Sequence, residues 1–138
     1  MTLNLSLHIN NSRIVIEHDG ELFSDILCTA LEGGSNYWIE TIKFLPPYNK
    51  PKGCSVSEYA TSELNAGNTI QIVDVDNEHH DLTMGDLIIG IKRWAHRHPN
   101  HVSIITEHGK SELDVGNIDA SDADAILQYS LFGKLMFG

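Results

Sequence analysis

The chain has 138 residues, nine Lys/Arg against 19 Asp/Glu, and a formal net charge of −10. With 41% hydrophobic and 20% charged residues, it has the composition of one globular domain, long enough to bury a core without staples. That balance weighs against direct nucleic-acid binding, which needs clustered Lys and Arg, and no apolar run approaches the roughly 18 residues of a membrane span.

In chain order, Leu3, Leu5, Leu7 and Ile9 alternate with polar residues as in a half-buried strand. Asn10-Asn11-Ser12 supplies a turn, and Arg13 to Glu17 returns as a second strand. Leu22, Phe23, Ile26, Leu27, Ala30 and Leu31 then fall on one helical stripe. Gly33 stands where a helix C-cap takes a positive φ, and Gly34 permits a sharp turn. Tyr37 to Phe44 reads as a strand with Trp38, Ile42 and Phe44 on one face.

Leu45 to Gly53 holds three of the four prolines and is a loop. Ser55 or Ser57 caps a short helix through Leu64, closed by Asn65-Ala66-Gly67. Thr69 to Asp76 is the clearest strand, and His79 to Leu82 returns beside it. Thr83 and Asp86 have the spacing of a capping box for a helix buried through Met84, Leu87, Ile88, Ile91, Trp94 and Ala95. Lys92, Arg93 and Arg97 suit the negative end of that helix's dipole, and Pro99 prevents its continuation. His101 to His108 is expected as a further short helix and Lys110 to Asp119 as irregular. Asp119 or Ser121 caps the last helix, Asp122 to Phe132, which Gly133 ends. The apolar Leu135-Met136-Phe137 reads as a final strand, since loose termini are polar. Residues 1–138 are thus expected to form a single α+β domain with a mixed or mostly antiparallel sheet and helices packed chiefly on one face.

The candidate ligand surface is Gly33, Gly34, Ser35, Asn36, Tyr37 and Trp38. A glycine turn can aim backbone amides at an anion, and the adjacent aromatics can stack on a flat ring. The competing reading is a helix stop with its aromatics in the core. Asp124 and Gln128, four apart, share a helix face; with Tyr129 they either line a pocket or satisfy backbone groups. Gln128 is notable because an amide among Ile126, Leu127, Leu131 and Phe132 must find partners.

Catalytic and metal signals are weak. The histidines around His79-His80 and around His96, His98 and His101 lack the i, i+4 spacing of helical metal ligands, and no H-E-x-x-H or G-x-S-x-G occurs. No catalytic residue, metal ligand or cofactor is assigned. Cys28 and Cys54 read as reduced cytosolic thiols. The opening MTLNLSLHINNSR has no basic segment leading into an apolar one, so no signal peptide is expected.

The segment Leu27 to Trp38, LCTALEGGSNYW, and the ending Asp122 to Gly138, DADAILQYSLFGKLMFG, resemble a group of small accessory proteins of tailed phages and prophages. Members carry an ALEGG-x-NYW-like motif, a middle helix of the Gly90-Ile91 type and an LQ-x-x-LFG-x-x-x-FG tail. The resemblance implies a phage protein in the cytoplasm of an infected host and carries over no catalytic residue. By analogy of context it implies counter-defence, either by sequestering a small nucleotide-derived signal or by inhibiting a host defence or nucleic-acid-processing protein through the acidic surface. A histidine-dependent hydrolase is the third reading. A small anionic ligand or a host defence protein is the expected partner, with no membrane contact. The apolar tail suggests a homo-oligomer.

Overall fold

The structure, a computed structural model, describes residues 3–138. Strands β1 (Leu3–Ile9) and β2 (Ser12–His18) form an antiparallel hairpin, turning through Asn10 and Asn11, both at positive φ. Helix α1 (Glu21–Thr29) follows, its N–H of Glu21 donating to Asp19 Oδ1. Strand β3 (Ile39–Phe44), helix α2 (Val56–Asn65), and strands β4 (Ile70–Asp74) and β5 (His79–Leu82) come next. The three strands make an antiparallel sheet in the order β3-β4-β5. Helix α3 (Met84–Arg97) begins on the expected box: Thr83 Oγ1 accepts from the Asp86 amide and Asp86 Oδ2 from the Thr83 amide.

The architecture is α+β, with antiparallel pairing in three small sheets. The third sheet replaces an expected helix. β6 (Ile104–Glu107) and β7 (Lys110–Leu113) pair across His108 and Gly109, whose φ values of 52° and 76° make the two-residue hairpin turn. Helix α4 (Ala120–Phe132) is capped by Asp119 and ends at Gly133, φ 72°. The expected final strand is also corrected: residues 134–138 pair with no strand and dock by side chains and isolated hydrogen bonds.

One core joins these elements. Leu7, Ile16, Ile26, Leu27, Trp38, Leu64, Ile72, Leu87, Ile91, Trp94, Ile126 and Leu127 are almost wholly buried within it. Helices α3 and α4 cross closely because Gly90 has no side chain: a Cβ there would strike Ser130 Oγ and the Ile126 carbonyl. Ser130 turns its hydroxyl onto that same carbonyl, 2.7 Å away, satisfying itself inside the contact.

Candidate functional site

The Gly-Gly pair does not stop α1 in the expected way. The helix widens into a π turn over Ala30–Gly34, marked by the Ser35 amide donating to the Ala30 carbonyl at 2.8 Å. Neither Gly33 nor Gly34 has a positive φ. Gly34 is required by close approach instead, since a Cβ would run into the Ala120 carbonyl at the start of α4. Gly33 faces open space. The π turn thus seats the loop 35–38 against α4.

That seat is organised around Asp124, a carboxylate only 8% exposed. Its Oδ1 accepts from Ser35 Oγ at 2.8 Å and Trp38 Nε1 at 2.7 Å. Its Oδ2 accepts from Tyr37 Oη at 2.6 Å and Gln128 Nε2 at 3.1 Å. Four donors fill the four lone-pair directions, which is how a buried carboxylate without a cation is accommodated. Tyr37 is 52% exposed as a residue, while its hydroxyl bonds to Asp124 and Gln128. Desolvation, then the hydrogen bond and charge of Asp124, push its pKa up to about 12.

Gln128 continues the network to the tail. Its Oε1 accepts from the Met136 and Phe137 amides at 2.8 and 2.9 Å, while its Nε2 also reaches Tyr37 Oη and the Phe137 carbonyl. The Phe137 ring covers the Trp38 indole. The two sequence-nominated segments therefore meet, with Gly34, Ser35, Tyr37, Trp38, Asp124 and Gln128 in one assembly. The Ser35, Asn36 and Trp38 amides are bonded within the turn region, and Asp124 makes the centre of the assembly anionic. Asn36 is exposed. Tyr129 points elsewhere, its hydroxyl 2.9 Å from His98 Nε2.

Tyr129 instead belongs to a groove of about 490 Å³ between α3 and the end of α4, with Lys92, Arg93, His96 and Arg97 along it, Ile89 at one end and His8 of β1 beside it. No carboxylate lines this groove. Among the described residues, none of its three Lys/Arg has a carboxylate within 4.0 Å. The helix dipole explains His96 and Arg97 in the last turn of α3. Arg93 answers a different helix: α4 has no basic residue in its own last turn, and the Arg93 guanidinium donates to the Tyr129 carbonyl there at 3.4 Å. Neither dipole explains Lys92. Sequence reading passed over this cluster by treating its cations as dipole partners. A usable signal was present, since three of the nine Lys/Arg fall within six residues of an otherwise acidic chain.

A second groove, of about 360 Å³, is acidic, with Glu17, Asp19, Glu21, Asp25 and Glu112 around His18 and Lys110. Burial lowers the pKa of His18, with Asp19 pulling the other way, and its buried Nδ1 has no partner among the described residues. The remaining histidines are mostly tied to single partners. His79 meets Gln71 Oε1, His80 meets Asp74, and His101 Nδ1 lies 2.7 Å from Asp122 Oδ1. Among the described residues no group of three His, Cys, Asp or Glu could hold a metal ion, and no helix is long and apolar enough to cross a membrane.

Compared with protein-family models, curated proteins and solved structures, the chain matches none. Fold and grooves together define an α+β protein with a cationic cleft on an acidic body.

Proposed function

We propose that this chain is a phage-encoded, non-enzymatic binding protein that sequesters a small anionic ligand, a nucleotide-derived defence signal, in the cytoplasm of an infected host. The phage origin rests on the resemblance of Leu27–Trp38 and Asp122–Gly138. The anionic ligand rests on one observation: three Lys/Arg without a carboxylate partner among the described residues share a groove that no carboxylate lines, in a chain carrying 19 acids. A volume of about 490 Å³ is within the range of small-molecule sites. The ligand site in this reading is the α3–α4 groove, and the 33–38 segment with Asp124 and Gln128 holds α4 in place beneath it.

A protein inhibitor acting through its acidic surface is the second reading, favoured by the five carboxylates of the other groove. Homo-oligomerisation belongs to the proposal as well, through the exposed Leu135 and Met136. Mass spectrometry of material released by denaturing protein purified from infected cells separates the readings. Sequestration returns an intact phosphorylated small molecule, hydrolysis returns products, and an inhibitor brings down a host protein. Release of no anionic small molecule, with a host protein bound stoichiometrically, would overturn sequestration.

A further inference from the structure

The cations of the α3–α4 groove are arranged along the helix, and their order specifies more than charge. Ile89, Arg93 and Arg97 follow one another at i, i+4 and i+8, and Lys92 and His96 form a second row at i and i+4. Residues four apart stand one above the other, about 5–6 Å between Cβ atoms. The groove thus reads, from the start of α3 towards its end, as an apolar position, a first cationic rank (Lys92, Arg93) and a second (His96, Arg97). Ile89 is 47% exposed, an apolar side chain offered to the groove at the end away from the second rank.

Arg93 of the first rank is held in place. Arg93 donates to the Tyr129 carbonyl and lies against Gly133, where any side chain would meet its Nη1. A guanidinium so placed keeps other N–H groups of its fork free for a phosphate. Arg97 makes no internal hydrogen bond or ion pair among the described residues and is exposed. Two phosphates joined through one bridging oxygen would crowd onto a single rank, whereas two phosphates on separate positions of a sugar can each take one.

Resting on the anion-sequestering reading above, we infer that the α3–α4 groove selects a nucleotide with two phosphate groups at separate positions, one against Lys92 and Arg93 and the other against His96 and Arg97. A nucleoside 3′,5′-bisphosphate has this chemistry, and two nucleotides joined by phosphodiesters share it. The test is calorimetric titration of the full chain with adenosine 5′-monophosphate, adenosine 5′-diphosphate and adenosine 3′,5′-bisphosphate. The last two are isomers differing in where the second phosphate sits. The bisphosphate is expected to bind about ten-fold more tightly than either of the others, a factor that one charge-assisted pair supplies. Arg97→Gln is expected to remove that preference while leaving the monophosphate affinity within about two-fold, because the first rank is intact. Because 3′,5′-bisphosphate also carries more charge, equal losses for both ligands in Arg97→Gln would show charge summation and overturn the inference. Equal or tighter binding of the diphosphate overturns it too, leaving sequestration of an anion standing. Binding of none of the three by folded protein removes the inference together with the site assigned in the proposed function.

Discussion

The Phe137 ring lies parallel to the Trp38 indole, with centroids 5.0 Å apart and 5° between the planes. The contact joins residues 99 positions apart and covers one face of the fully buried Trp38. Phe132 meets both rings from the side. Phe137→Ala should therefore destabilise the protein, by less than the roughly 3–5 kcal/mol of a fully buried aromatic because Phe137 is only partly buried. Deleting residues 135–138 should cost more, since Gln128 Oε1 also loses two amide donors. Chemical denaturation measures both. Unchanged midpoints would mean that the tail does not dock in solution.

Asp124 should be among the polar residues least tolerant of substitution. Asp124→Ala strands the Ser35 hydroxyl, the Trp38 indole N–H and the Tyr37 hydroxyl together, at about 1–3 kcal/mol for each buried donor that finds no water. Since these donors share one acceptor, their costs will not add. Combining Asp124→Ala with Tyr37→Phe and comparing each single variant by urea denaturation gives the coupling. A coupling near zero would show that Tyr37 does not bond to Asp124.

The two close-approach glycines should behave alike and unlike Gly33. Gly34→Ala and Gly90→Ala each place a methyl group against a backbone carbonyl of α4 or its side chain, an overpacking cost of about 1–3 kcal/mol. At Gly33, with open space and an ordinary φ, alanine should be neutral or slightly stabilising. Melting temperatures rank the three variants. A Gly33→Ala loss matching that of Gly34→Ala would contradict the π-turn geometry.

Tyr37 sets an alkaline limit. Its pKa is raised from 10 to about 12 in the folded protein, so the folded state resists losing that proton more than the unfolded chain does. The stabilisation is fully present below pH 10 and is lost as pH rises through 12. Tyr37→Phe should flatten that part of the stability-pH profile between 10 and 12 while lowering stability at neutral pH through the lost bond to Asp124. An identical alkaline slope in the two proteins would exclude Tyr37 as its source.

Much of the local structure was legible in the sequence because it is written in short-range chemistry. Period-two alternation located β1 and β2, helical stripes located α1 and α3, the caps Asp119 and Gly133 located α4, and Thr83 with Asp86 marked a helix start by hydrogen bonds spanning three residues. The α+β class followed from those elements. Local rules failed where two readings share the same residues. His108-Gly109 looks like a helix end until β6 and β7 pair across it, and Leu135–Phe137 looks like a strand although it pairs with none and docks instead by the Phe137 ring and the Gln128 amide. The Gly33-Gly34 pair carries a turn signal, yet Gly34 is needed because α4 arrives against it from 86 residues away. Gln128 could be singled out as an amide requiring partners; that those partners are the tail amides depends on chain segments meeting. The same holds for the groove. The sequence contains Lys92, Arg93, His96 and Arg97 in order, but the apposition of α3 to the carboxyl end of α4, permitted by Gly90, decides that they face a cleft with no carboxylate. Pattern determines which elements form, because propensity and burial act over a few residues; packing decides what they enclose, because that depends on distances between elements that no local period records.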